Sequence, residues 1–437
     1  MEKSIRFEPK NENLFRIQLL NYINLNSSGL LLETLASGAN TPENSGDNYQ
    51  LLAAIANQNK TINKQNNLTS TILDKKWWFG FITYELKNKL ENLYSKNPLT
   101  IHLPELHFFS PSFIIIKKNN QWHLIYNSKN NSQQEASEKI KEIEAIEIKT
   151  QETKSSIDIK NRQSKDEYLD AINKIKDHIH RGDIYEMNYC MEFYSKEAII
   201  NPIDTYLQLS STSPVPFAAF LKFNDIYLIS ASPERFLLKK NSKLISQPIK
   251  GTCARSSSKK NDLIAKHNLQ NNPKERSENI MITDMVRNDL SRIAVKGSVN
   301  VDELCEVYSF KQVHQMISTI SAISDPQFEI KDIIKNTFPI GSMTGAPKIK
   351  AMEIIDEYET QQRGLYSGAV GYIDPEGNFD FNVVIRSIVY DSRSNYLSFM
   401  AGSAITALSD PEMEYDECLL KAAAIRTILT QNNSEPC

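Results

Sequence analysis

Apolar residues return at helical spacing in "SKDEYLDAINKIKDHIHRGD", at Tyr168, Leu169, Ile172, Ile175 and Ile179, and Ser164 stands where an N-cap is wanted. From there to the C-terminus the pattern alternates between the helical and strand periods. "FAAFLKF", "IYLISAS", "FLLKK", "SGAVGYI", "FNVVIRSIVY" and "YLSFMAGSAI" predict strands, and short turns such as "DPEGN" favour antiparallel pairing. Helical patterns cluster around 258–292, 331–361 and 412–430. This is an α+β pattern with a large antiparallel sheet system. Residues 1–126 mix short strand-like runs ("FIIIKK", "WHLIY") with helical stretches, and "WWFGFITYEL" predicts a buried strand leading into a helix. Residues 127–163 are polar and charged with a helix-like middle, a surface connection that in part lacks fixed structure. Three zones result: 1–126, 127–163 and 164–437, without an internal repeat.

Composition narrows the class without naming it. The 437 residues are 40% hydrophobic and 24% charged, as in ordinary globular chains, and the formal net charge of -3 lacks the basic footprint of a nucleic-acid binder. Five cysteines without regular spacing argue against a disulfide framework or a zinc site, and fit a reducing cytoplasm. The charged start "MEKSIRFEPKNENLF" has no apolar core of a signal peptide, and no apolar run reaches the roughly 20 residues that span a bilayer.

Several segments could carry chemistry. In "LISQPIKGTCAR", Lys250 precedes a glycine at what reads as a strand entering a tight turn, where it is either a strand-end charge or a nucleophile. Sixteen residues earlier, Glu234 follows a strand and a proline in "SASPERF", so an acid and an amine could face one cavity if their strands are neighbours. Glu278 shares a helical face with Met281, Ile282 and Met285, an expensive place for an unpaired charge, though a helix-end ion pair would explain it. Glu414, Glu417 and Lys421 fall on one face of a helix capped by Asp410 or Ser409, with Pro411 in the first turn; a surface salt-bridge ladder is the plain reading. Two helices each presenting carboxylates among apolar neighbours suit Mg²⁺, which takes hard oxygen ligands. "FPIGSMTGAPKIKAMEIIDEYE" sets Gly341, Ser342, Thr344 and Gly345 ahead of a periodic helix, a start that favours an anion without being a Walker loop. Arg386, inside an apolar strand, needs a carboxylate partner, while Tyr366 and His314 alone read as core side chains.

Taken in order, "GDIYEMNYC", "SASPERF", "PIKGT", "ENIMITDMVRNDLSR", "GSMTGAPKIKAMEIID", "YSGAVGYID…FNVVIRS" and "EYDECLLKA" resemble the chorismate-utilising enzymes across about residues 164–430. The resemblance implies two antiparallel sheets packed together with helices outside, with the N-terminal zone a variable part of that fold. Lysine at position 250, where anthranilate-forming members carry alanine, resembles the branch that makes 4-amino-4-deoxychorismate. It implies that the Lys250 amine attacks C2 of the ring as the C4 hydroxyl leaves, after which ammonia adds at C4 and expels the lysine. Such a lysine must be neutral, with its pKa depressed by burial or nearby positive charge. Glu234 matches the general acid, with a raised pKa. Glu278 and Glu417 match Mg²⁺ ligands, with Glu414 close by. Tyr366 and Arg386 match the grip on the pyruvyl carboxylate, Thr344 and the amides near Gly402 an anion cradle, His314 a histidine beside the ring, and Lys421 a lysine near the substrate carboxylate.

Two positions depart from the resemblance. Ala404 in "AGSAIT" replaces a glycine, and Glu186 stands where many relatives have glutamine. Isochorismate and salicylate synthases carry a lysine base near Glu186, so its absence speaks against water addition. The expected activity is amination of chorismate to 4-amino-4-deoxychorismate, with anthranilate formation as the alternative. A silent regulator that binds tryptophan or chorismate should have lost an acid, a metal ligand or the lysine, and none is missing. "GLLLETLASGAN" loosely resembles the family's feedback motif, but an edge strand is the simpler reading. No glutaminase signature is present, which implies that ammonia comes from a separate glutamine amidotransferase subunit. Neither nucleic acid nor membrane is expected as a partner.

Overall fold

A computed structural model describes residues 2–36, 49–55, 75–148 and 157–430. The chain forms two antiparallel sheets that pack face to face, with helices over both outer surfaces. Among the described residues the first sheet has twelve strands. Its central run places Ser28–Glu33, Phe217–Phe223, Ile226–Ser232, Ser387–Asp391, Tyr396–Ile405 and Glu186–Ser195 side by side. The second sheet, of nine strands among the described residues, runs from Ile249–Ala254 through Val313–Ile323, Lys243–Gln247, Arg235–Lys240, Phe379–Val383, Ala369–Ile373 and Trp78–Ile82 to Leu106–Phe109, with Asn300–Ser309 pairing Val313–Ile323 beside this path.

Burial explains the layering. Leu30, Leu52, Ile114, Ala219 and Leu228 of the first sheet meet Phe79, Phe81, Val370 and Tyr372 of the second in one apolar cluster, the seam between the sheets. Tyr168, Ile172 and Ile175 of helix Lys165–Arg181 face the outer side of the first sheet, as their spacing requires. Ser164 caps that helix in a box with Glu167, and Gly182 ends it at φ 84°. Ile282, Val286 and Leu290 of helix Pro273–Ser291 cover the second sheet.

Residues 2–127 supply strands to both sheets, including Trp78–Ile82 and Leu106–Phe109 in the second. The polar connection holds a capped helix, Gln133–Glu144, and its residues 149–156 lie outside the described ones. Three local expectations need correction. The run at 29–36 is no edge strand, since Ser28–Glu33 is paired on both sides; its last residues, 37–40, lie outside the described ones. "FNVVIRSIVY" is two strands rather than one. Phe379–Val383 belongs to the second sheet and Ser387–Asp391 to the first, and the chain crosses between them at Arg386, whose φ is 49°. Finally, the sheet does not stop in a turn at Lys250, the second residue of Ile249–Ala254. Lys243–Gln247 and Ile249–Ala254 both pair with Val313–Ile323, and Pro248 only interrupts them. Ile249 lies opposite Ile317 and Thr252 opposite Gln315, so the segment carries one extra residue, with Gly251 at φ 90°. That is a β-bulge, a device that re-aims side chains and recurs beside active sites.

Candidate active site

Two crossings of the chain build the centre of the site. Ile226–Ser232 lies in the first sheet and Arg235–Lys240 in the second, so Glu234 stands on the passage between sheets, as Arg386 does on the return. The passages are bonded side by side: Val383 N donates to Glu234 O at 3.0 Å, and Ala231 N to Arg386 O at 3.1 Å. Glu234 is buried, accepts a 2.5 Å hydrogen bond from Ser342 Oγ, and is pushed up to about 7 by its burial. The Arg386 side chain makes no hydrogen bond among the described residues. Burial lowers its pKa, partly opposed by Glu234. A guanidinium so placed is ready for an incoming carboxylate.

The bulge delivers Lys250 to the same region. Its side chain is 12% exposed, and Nζ lies 3.5 Å from Oε1 of Glu186, which reaches across from the first sheet and is 2% exposed. Burial works against the ammonium, but Glu186, Glu278 and Glu234 more than offset it and raise the lysine above its ordinary value. The depressed pKa expected of a nucleophile is therefore corrected. Carboxylates outnumber cations around the amine, which favours its ammonium form.

Helices Pro273–Ser291 and Pro411–Thr430 bring the remaining acids together. Asp410 caps the second, accepting from Met413 N at 3.1 Å. Lys274 Nζ sits 3.2 Å from Glu414 and 3.9 Å from Glu278, and each of these buried acids keeps one oxygen without a hydrogen-bond partner among the described residues. Burial pushes Glu278 up to about 7. Glu417, only partly covered, is held low because Lys421 lies 2.7 Å away. Orphaned carboxylate oxygens gathered around a single ammonium are what a cation site looks like when an amine supplies the charge. The donor set fits Mg²⁺ in chemistry, although no three acids among the described residues converge closely enough to form a ready cage. Lys274 escaped the sequence reading, yet its place four residues before Glu278 was an available signal.

Other expected residues fall around this centre. Tyr366 is buried, its hydroxyl 3.6 Å from Cys190 Sγ. Gly402 lies opposite Cys190, and a Cβ there would come within 2.1 Å of Tyr189 O. Lys421 Nζ donates to Gly402 O at 2.9 Å, tying the last helix to that strand. Ala404 continues the same ladder opposite Asn188. Thr344 turns its hydroxyl back on its own loop, toward the carbonyls of Ile340 and Gly341, so Ser342 is the loop residue that touches the acid. His314 does not join the cluster. It lies opposite Cys253 and is held between Ser309 Oγ at 2.8 Å and Asp262 at 3.1 Å, while Gln315 faces the side of Thr252. Arg255, the Ser256 amide and the histidine together hold Asp262 well below the usual carboxylate range.

The chain belongs to the chorismate binding enzymes, whose family pattern matches residues 29–427. Within that family it is similar to a probable chloroplastic aminodeoxychorismate synthase from rice, 42% identical over 265 residues, which are 60% of this chain and 29% of that protein. It is 38% identical over 268 residues to aminodeoxychorismate synthase component 1 of Escherichia coli, covering 61% of this chain and 58% of the relative. The match thus spans little more than half of one curated relative and under a third of the other. Among solved structures, anthranilate synthase component I from Streptococcus pneumoniae superposes with a TM-score of 0.72 at 23% identity, covering 97% of this chain and 92% of that one. That likeness defines the fold: two antiparallel sheets with surrounding helices.

Proposed function

We propose that this protein aminates chorismate to 4-amino-4-deoxychorismate with Lys250 as a covalent nucleophile. The observation that carries this reading is the bulge that presents a buried lysine amine within electrostatic reach of Glu234, a buried acid pushed up to about 7. The named activity of the rice and Escherichia coli relatives points the same way. In this reading the Lys250 nitrogen bonds to ring C2 while the C4–O bond breaks, and Glu234 protonates the departing hydroxyl, which leaves as water. Ammonia then bonds to C4, and the electron pair of the C2–N bond returns to the lysine. Arg386 and Tyr366 hold the pyruvyl carboxylate, with Lys421 and the Gly402 strand beside the ring carboxylate.

Glu278, Glu414 and Glu417 would hold Mg²⁺, whose charge neutralises the ring carboxylate when bound. Ammonia is supplied by a separate glutamine amidotransferase subunit, and we place the protein in the cytoplasm. No helix among the described residues is long and apolar enough to cross a membrane.

The test is product identification after incubation with chorismate, Mg²⁺ and concentrated ammonium at about pH 8.5, where free ammonia is appreciable. An aminated product that keeps its pyruvyl group, and that Lys250→Ala does not make, is expected. Fluorescent anthranilate with released pyruvate would place the activity on the other branch and remove the covalent role of Lys250.

A further inference from the structure

We propose that Glu186 is the proton partner of Lys250: its carboxylate takes a proton from the ammonium as the amine goes to bond with substrate, and gives one back when the amine leaves. This rests on the reading of Lys250 as a nucleophile and assigns the step that makes that reading possible. An ammonium has no lone pair, and a lysine side chain ordinarily carries its extra proton at neutral pH. Something adjacent must accept its proton.

Geometry singles out one acid. Glu186 Oε1 lies 3.5 Å from Lys250 Nζ, and no other carboxylate among the described residues comes within ion-pair distance of that nitrogen. Glu278 and Glu414 are engaged by Lys274, and Glu234 by Ser342. A carboxylate kept only for structure is normally satisfied at both oxygens, because a buried unpaired one is costly. Glu186 is buried, yet its Oε2 has no partner among the described residues. It also comes from the first sheet while the lysine comes from the second, so the pair meets across the two layers. The charged groups facing the pair are Glu278 and Glu234 around the lysine and Lys274 beyond Glu186; Glu275 and Glu417 act at longer range.

The step balances without a further reactant. Ammonium and carboxylate become amine and carboxylic acid, with no net change in charge. The amine then forms the N–C2 bond and its nitrogen becomes a secondary ammonium. When ammonia bonds to C4, the N–C2 pair returns to nitrogen, lysine departs as a neutral amine, and Glu186 restores its proton. The pair ends as it began.

The experiment compares the wild-type chain with Glu186→Gln, loaded with Mg²⁺, across the range from about pH 6 to about pH 9, and plots the ratio of their amination rates. Loss on the Glu234 limb is common to both and cancels. The variant must shed the lysine proton to solvent, so its relative rate should climb by about tenfold per pH unit below the lysine's ionisation. A ratio that stays flat with pH, whatever its size, overturns the proposal, since a structural pair would lower the rate without bending the profile. Glu186→Asp keeps a carboxylate and should retain the wild-type profile, which covers a glutamine variant that fails to fold. A second readout needs no turnover: competitive acetylation of amines followed by mass spectrometry of the Lys250 peptide. Lys250 should titrate above an ordinary lysine in the wild type, and identical labelling of the two proteins would also overturn the pairing. Wild-type protein that aminates nothing defeats the functional reading itself, whereas wild-type activity with a flat ratio defeats only the role of Glu186.

Discussion

Glu234 couples stability and catalysis in one titration. Its folded pKa of about 7 lies above the ordinary 4.5 of a free glutamate, so the folded chain binds this proton more tightly than the unfolded chain does. The associated stability is fully present below about pH 4.5 and is lost as pH rises through about 7. For a shift of this size the loss amounts to about 3 kcal/mol on the alkaline side. Glu234→Gln should therefore melt higher than the wild type near pH 8 and show little advantage near pH 5, by calorimetry at both values. The same substitution should lower the amination rate by about 100-fold or more, because glutamine cannot protonate the leaving hydroxyl. A variant that gains no alkaline stability would mean that the fold leaves the Glu234 pKa at its ordinary value. At this scale the sequence was informative where punctuation isolates a residue: Pro233 before Glu234, and Gly251 after Lys250. It was silent on through-space partners. Nothing in "YEMNYC" tells that Glu186 will meet a lysine 64 positions later across two sheets. It was equally silent on the company His314 keeps, with Ser309 and Asp262 on either side of its ring.

Among the elements, the bulge at Lys250 matters most. Gly251 adopts φ 90°, and a Cβ there would lie 3.0 Å from Glu275 Oε2 and 3.2 Å from its Cβ. Gly251→Ala forces either backbone strain of about 1–3 kcal/mol or a flattened strand that turns Lys250 away from Glu186. We expect amination to fall well beyond what the loss of stability explains, with the Lys250 amine acetylating more readily as it leaves its pocket; labelling like the wild type's would show that the bulge does not aim the lysine. The helices were the most readable elements, since Ser164 and Asp410 each mark a start with a side chain that accepts from the first turn. The long hairpin Asn300–Ser309 and Val313–Ile323 was missed as a pair of strands. Its first strand is interrupted twice by register shifts that blur the period of two, and its second is polar on both faces where it meets Asn279 and Gln247. Whether "FNVVIRSIVY" is one strand or two is likewise undecidable from a continuous apolar run, because both halves are buried, each in a different sheet.

In the whole molecule, two sheets are stitched by chain crossings, and that construction gathers acids from separate layers. Glu186 comes from the first sheet, Glu234 from a crossing, Glu278 from a helix over the second sheet and Glu414 from the last helix. The family order of the motifs made this gathering readable in outline. The balance of charge at the centre was not, because it depends on which side chains end up without partners. Glu186, Glu278 and Glu414 each retain an oxygen that nothing among the described residues satisfies. Buried carboxylates so crowded repel one another in the folded state and separate on unfolding, so a divalent cation that relieves them binds the folded chain alone. Mg²⁺ at about a hundred times its dissociation constant should then add about 2.7 kcal/mol of stability. A thermal melt with and without Mg²⁺, in the absence of chorismate, reads this directly as an upward shift in Tm. Glu278→Gln removes one of the proposed ligands and should shrink the shift, while Glu412→Gln, on the exposed side of the same last helix, should leave it intact. Equal shifts in both variants would place the cation elsewhere, and no shift in the wild type would mean that Lys274 alone suffices to hold these acids together.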